Sequence, residues 1–128
     1  MRILICEDEE IMLTALQFRL KKQGYDVIVA EDGKEALEKL EAEAPDFMVA
    51  DVMMPYVTGL ELISHVRDVM KSPIPIIIIS ALDNDETVLE AFRFGANDFI
   101  AKPFKPHELI LRIKRLEQAI KLAGEQQS

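Results

Sequence analysis

Five side chains in this sequence have types and positions that could do chemistry together. Glu7 and Asp8 follow the apolar run Ile3–Cys6, Asp51 follows Phe47–Ala50, Ser80 follows Ile76–Ile79, and Lys102 follows Phe99–Ala101. A carboxylate at the tip of a buried run is costly unless something uses or neutralises it. Three carboxylates within a few ångströms repel and raise one another's pKa unless a cation intervenes. Such an all-oxygen set suits Mg2+, which keeps several waters and shares its shell with a phosphate. Lys102 adds an ammonium that can pair with Asp51 and then with a phosphoryl oxygen. Ser80 adds a hydroxyl that can donate to the same group. A carboxylate nucleophile, a metal, a cation and a hydroxyl together describe phosphoryl transfer onto Asp51.

Taken singly, each residue has a plainer role. Asp8 could cap a helix, Ser80 could close a turn, Lys102 before Pro103 could be surface, and Phe99 could be core. His65 and His107 fall in different helices without ligand spacing, which argues against a transition-metal site. The signal lies in the joint placement at four strand ends.

That placement requires a particular scaffold. The runs Ile3–Cys6, Val27–Ala30, Phe47–Ala50, Ile76–Ile79 and Phe99–Ala101 are nearly continuous rather than alternating, as in parallel strands covered on both faces. Helical spacing fills the gaps: Ile11, Ala15, Leu16 and Leu20; Ala36, Leu37 and Leu40; Leu60, Ile63, Val66 and Met70; Val88, Leu89 and Phe92; Leu109, Ile113, Leu116 and Ile120. Asp32 with Glu35 and Thr58 with Glu61 have capping-box spacing, Pro106 suits a first turn, and Gly24 and Gly95 suit helix ends. Glu31 and Asp32, after the second run, read as a helix start and solvated surface. The pattern predicts β-α repeated five times, with right-handed crossovers and helices on both faces. In such an α/β sheet the C-terminal strand ends share one edge, where ligands bind.

The bulk numbers bound the function. A chain of 128 residues, 49% hydrophobic and 30% charged, predicts a single globular domain. A net charge of −8 argues against direct nucleic-acid binding through a basic surface. No apolar stretch approaches the roughly 20 residues that span a bilayer, so no membrane association is expected. Met1 leads directly into a strand without a secretory leader, and the lone Cys6 allows no internal disulfide, so a cytoplasmic location is expected. Within its apolar run Cys6 reads as a buried, inert thiol. The polar GEQQS segment predicts a boundary near Leu122, with residues 123–128 a tail or the start of a linker.

The pieces ILICEDEE, PDFMVADVMMPYVTGLEL, PIIIISA and GANDFIAKPF, in this order and spacing, resemble the receiver domain of two-component response regulators. The likeness covers Arg2 to about Leu122. It implies a flavodoxin-like (βα)5 three-layer sandwich with strand order 2-1-3-4-5. By resemblance Asp51 is the phosphoacceptor, Asp8 a direct ligand of Mg2+ or Mn2+, and Glu7 a second acidic ligand acting through water. Met53 lends its backbone carbonyl to the metal. Ser80 and Phe99 take the hydroxyl and aromatic switch positions, and Lys102 the basic position, with a cis Lys102–Pro103 bond.

The implied mechanism is transfer from a sensor histidine kinase to Asp51. Ser80 and Lys102 then draw toward the new charge, and Phe99 rotates inward. The face of the fourth helix, fifth strand and fifth helix is remodelled to control an output such as transcription. The only catalysis implied is of the domain's own phosphorylation and dephosphorylation, not that of an independent enzyme.

The sequence departs from the family pattern at Glu7 in place of aspartate, at Thr58 before Gly59, and at Phe99 in place of tyrosine. Met53 and Leu82, two residues after the nucleophile and the hydroxyl, are apolar and should hinder an attacking water. FIAKPFKPHELILRIKRL resembles receivers of winged-helix transcription factors, which dimerise through the remodelled face. Asp98 and Arg112 fall where that subfamily forms an intersubunit ion pair, but Val88, Asn97 and Ala119 lack the charges for further pairs. A homodimer and a downstream effector domain or protein are the partners this implies.

The alternative reading is a phosphorylation-independent interaction module of the same shape. An aspartyl phosphohydrolase commonly carries a second Asp two residues after the nucleophile, where this chain has Met53. A dinucleotide or flavin binder would carry a glycine-rich turn after the first strand, absent here.

Overall fold

The computed structural model describes residues 1–127, with side chains through residue 124. Five parallel strands, β1 (Arg2–Cys6), β2 (Asp26–Ala30), β3 (Phe47–Asp51), β4 (Ile76–Ser80) and β5 (Asp98–Ala101), form one sheet in the order β2-β1-β3-β4-β5. The helices are α1 (Glu10–Lys22), α2 (Gly33–Glu43), α3 (Gly59–Ser64), α4 (Asp85–Phe94) and α5 (Pro106–Gln127). This is the doubly wound architecture and strand order expected.

Alternation along each strand splits the core in two. Leu4, Cys6, Met48, Ala50, Ile76 and Ile78 face Ala36, Leu40, Leu62, Ile63 and Ala91 of α2, α3 and α4. On the other face Ile3, Ile5, Val49, Ile77 and Ile79 meet Leu13, Leu16 and Leu20 of α1 with Leu109 and Ile113 of α5. Both faces are covered, which is why the strands read as unbroken apolar runs.

Several elements differ from expectation. Each of the five strands takes in one polar end residue, Arg2, Asp26 and Asp98 at their starts and Asp51 and Ser80 at their ends. The backbone ladder continues there although the apolar run has stopped. In α1, Ile11 and Ala15 are exposed and Leu13 is buried instead. Leu89, Phe92 and Ile120, expected as core, are also exposed. The third helix passes into a π-helical turn at His65–Val69, where Met70 N donates to His65 O at 2.9 Å. Helix α5 runs on through the polar segment to Gln127, and Ser128 lies outside the described residues.

The helix ends follow their sequence signals. Thr58 and Glu61 form a complete capping box. Asp32 accepts from Glu35 N at 2.7 Å, while the Glu35 carboxylate accepts from Glu31 N. Gly24 and Gly95 take left-handed φ values of 91° and 118° after α1 and α4.

Candidate functional site

The sheet register assembles the predicted residues at one edge. Cys6 pairs with Ala50, so Glu7 and Asp51 leave adjacent strands together. Ser80 pairs with Ala101, and Lys102 N donates to Ser80 O at 2.8 Å, extending that ladder by one bond. Asp51 and Ser80 are thus the last residues of their strands rather than the first beyond them. Burial follows: Glu7 is 0% exposed, Asp51 4% and Ser80 0%, while Asp8 faces solvent.

The Lys102 ammonium is the hub. Its Nζ lies 2.5 Å from Asp51 Oδ2, 2.9 Å from Glu7 Oε2 and 3.3 Å from Glu9 Oε2. The Lys102–Pro103 bond is cis, as expected. Asp51 Oδ1 accepts from Met53 N at 2.9 Å, and Glu7 Oε1 accepts from Glu9 N at 3.1 Å. Burial pushes the Glu7 carboxyl above the usual carboxylate range, and Asp51 adds to this, while Lys102 and the Glu9 N–H pull partly back. For Lys102 burial disfavours the charge, but the hydrogen bond and charge of Asp51, with those of Glu7, outweigh it. The net effect lifts Lys102 above the ordinary lysine range.

Three carboxylates, of Glu7, Glu9 and Asp51, therefore share one ammonium at this edge, with Asp8 beside them. Ligating oxygens of Glu7, Asp8 and Asp51 lie within 4.8 Å of one another. Glu7 Oε2 is buried, and its contact with the Lys102 ammonium at 2.9 Å is the one polar contact it has among the described residues. Three clustered carboxylates, two of them buried and sharing a single ammonium, make an all-oxygen set that fits a hard divalent cation.

Asp8 is free for such a role because it does not cap α1. The cap residue is Glu9, and its side chain makes no capping bond. Glu9 was legible only as one acid in a run of four; its contact with Lys102 bridges distant segments. Ser80 Oγ accepts from Leu82 N at 2.9 Å, and half-buried Phe99 packs against the core on the α2–α3–α4 side. Met53 and Leu82 are 58% and 41% exposed. Asp98 and Arg112 pair within the chain at 2.9 Å, and Arg115 reaches the other Asp98 oxygen at 3.1 Å. Cys6 is buried, which holds its thiol well above the usual range and leaves it inert.

Gly59 is a residue the sequence offered no reason to single out. A Cβ there would meet the Asp51 carbonyl oxygen at 2.3 Å, because Gly59 N donates to Val52 O at 3.0 Å as α3 turns back over the strand. Gly59→Ala is therefore expected to lower stability by about 1–3 kcal/mol, as overpacking against backbone does. Urea unfolding measures this; an unchanged midpoint would show that α3 yields freely.

Comparisons with known proteins agree with this geometry. The family model for the response regulator receiver domain matches residues 3–114. The alkaline phosphatase synthesis transcriptional regulatory protein PhoP of Bacillus subtilis (strain 168) is 40% identical over 123 residues, covering 96% of this chain and 51% of that protein. The chain thus spans about half the length of that curated relative. The receiver domain of the Francisella response regulator 1452 superposes with TM-score 0.86 at 34% identity, over 93% of this chain and 98% of that one. The beryllofluoride-activated receiver of Klebsiella pneumoniae RstA gives 0.82 at 30% identity, over 89% and 96%. Among the described residues no helix is long and apolar enough to cross a membrane. With most of its length matched and its acidic edge in place, this chain belongs to the response regulator receiver family.

Proposed function

We propose that this domain accepts a phosphoryl group on Asp51 from a phosphohistidine of a sensor histidine kinase. The observation that carries the reading is the buried Asp51 carboxylate held by Lys102 beside Glu7 and Asp8. An Asp51 oxygen attacks phosphorus as the P–N bond breaks and the histidine leaves. Lys102, already on Asp51, moves its contact to a phosphoryl oxygen, and Glu7 and Glu9 hold the ammonium near the edge meanwhile. Asp8, Asp51, Glu7 and the Met53 carbonyl would hold Mg2+ or Mn2+, which supplies charge neutralisation for the transferring group.

Ser80 turns its hydroxyl toward the added charge and Phe99 follows inward, altering the α4–β5–α5 face. Through that face the domain pairs with a second copy and directs an effector, with transcription the output its PhoP relative suggests. Asp98 and Arg112 would exchange their internal pair for one across the dimer. Residues 1–122 act as the receiver and 123–128 form a polar tail or the start of a linker, in a cytoplasmic protein.

Incubation with acetyl phosphate and magnesium, read by intact mass and peptide mapping, tests this. The expected result is one phosphoryl group on Asp51; none, or one elsewhere, favours a phosphorylation-independent interaction module. The exposed Met53 and Leu82 side chains flank the site and hinder water. Met53→Asn is expected to speed loss of the phosphoryl group by about tenfold, the scale of one lost positioning effect. Timed dephosphorylation measures it, and an unchanged rate would sink the shielding role.

A further inference from the structure

Helix α4 is fastened at only one end. Ala91 is buried beneath it, but Leu89 and Phe92 face solvent, and residues 81–86 are exposed throughout. Among the described residues, the first turn is tied only by its own cap: Asn84 accepts from Thr87 N at 2.9 Å and from Val88 N at 3.1 Å. The other end is bound to the body by a guanidinium. Arg67 Nε and Nη2 donate to Gly95 O at 3.1 and 2.9 Å, and Nη2 also donates to Asn97 Oδ1 at 3.0 Å. Arg67 Nη1 reaches Ser72 O at 2.8 Å, across the loop that enters β4.

Asn97 carries the fastening into the sheet. Its N–H donates to Ile76 O at 2.8 Å and its side-chain oxygen accepts from Ile76 N at 2.9 Å. Arg67 sits in the π-helical turn His65–Val69, and its stem covers Gly95, where a Cβ would meet Arg67 Cγ at 2.9 Å. Charge-assisted bonds to backbone carbonyls are among the stronger hydrogen bonds, and here they converge on the residue that ends α4.

We infer that Arg67 is a positioning residue that pins the C-terminal end of α4, so that the helix moves about that end and its free N-terminal end carries the displacement. This rests on the reading of α4 as part of the switching face. Loops and elements that move in signalling come from the weakly held part of a fold, and the exposed 81–86 segment after Ser80 is such a part. The fastening confines motion to the end nearest the chemistry.

Amide hydrogen exchange by NMR on the resting domain tests the fastening. Arg67→Met keeps the stem over Gly95 and removes the donors. It is expected to speed exchange at Ala96 and Asn97 by about tenfold or more, the size of one lost charged hydrogen bond, with Val49 and Ile77 changed far less. Arg67→Lys, which keeps the charge but not the fork, should fall between and serves if the first variant does not fold. Equal acceleration of all four amides, or none, would overturn the inference.

Beryllofluoride with magnesium, added to the unaltered domain, tests the pivot. Around α4, changes at residues 81–89 with 95–97 unaltered support it, and equal changes at both ends of the helix overturn it. Failure of the domain to take up beryllofluoride, read by fluorine NMR, would instead count against phosphoryl acceptance at Asp51. The resting-state exchange would still decide the fastening.

Discussion

Asp51→Asn is expected to abolish phosphoryl uptake while leaving the domain folded. Asparagine has nearly the same shape, so its oxygen can still accept from Met53 N as Asp51 Oδ1 does at 2.9 Å. It has no anionic oxygen to attack phosphorus, so no acyl phosphate forms. Lys102 loses its nearest partner but retains Glu7 at 2.9 Å and Glu9 at 3.3 Å. The edge also sheds one of four mutually repelling carboxylates, which offsets part of the lost ion pair. Unfolding free energy should therefore change by no more than about 1 kcal/mol, within the usual range for a substitution that opens no cavity. Intact mass after acetyl phosphate treatment and a urea melt give the two readouts. Uptake equal to that of the unaltered domain would remove Asp51 from its role. A collapsed melt would mean that the carboxylate is needed for the fold as well.

What could be read in advance was set by the period of the apolar pattern and by where it stopped. Near-continuous runs announce strands buried on both faces, and the next polar residue marks the shared edge. Glu7, Asp51, Ser80 and Lys102 were legible for that reason. Contacts between distant segments were not. The Glu9 carboxylate meets Lys102 only once the loop after β5 comes to the start of α1, and Gly59 matters only once α3 folds back onto Asp51. The helix faces were ambiguous for a simpler reason. Ile11, Met12 and Leu13 are consecutive and apolar, so either Ile11–Ala15 or Leu13–Leu16–Leu20 could have been the inward stripe. Helix α4 misled in another way, because Leu89 and Phe92 have core character yet leave only the small Ala91 beneath the helix. The π-helical turn depends on which carbonyl each amide finds, and residue type alone does not settle that between i−4 and i−5.

Lys102→Met should be the most destabilising single change at the acidic edge. The lysine side chain is 14% exposed and its ammonium is the shared cation of buried Asp51 and Glu7, so methionine keeps the stem but strands both charges. Breaking a buried pair from one side costs about 3–5 kcal/mol. Glu9 adds little to this, since its side chain is 63% exposed and screened. The deficit should depend on pH in a defined direction. Burial already raises the Glu7 carboxyl, and Lys102 is among the groups that pull it back, so the variant's folded-state value lies higher still. A carboxyl raised in the folded state binds its proton more tightly there than in the unfolded chain. Its contribution is complete below the unfolded value of about 4.3 and is lost as pH rises through the folded value. In the unaltered domain the raised Lys102 acts in the same sense at the other end of the scale: its stabilisation is complete below the ordinary lysine value and is lost as pH rises through the folded one. It is therefore fully present at neutral pH. Urea melts in EDTA at about pH 5 and about pH 7.5 should show the smaller deficit at the lower pH, where more of the stranded carboxyl is protonated. Adding magnesium at the higher pH should restore part of the loss, because a divalent cation among Glu7, Asp8 and Asp51 supplies the charge that the ammonium no longer does. A deficit that is the same at both pH values and insensitive to magnesium would mean that Lys102 supports the fold through packing of its stem, with its charge incidental.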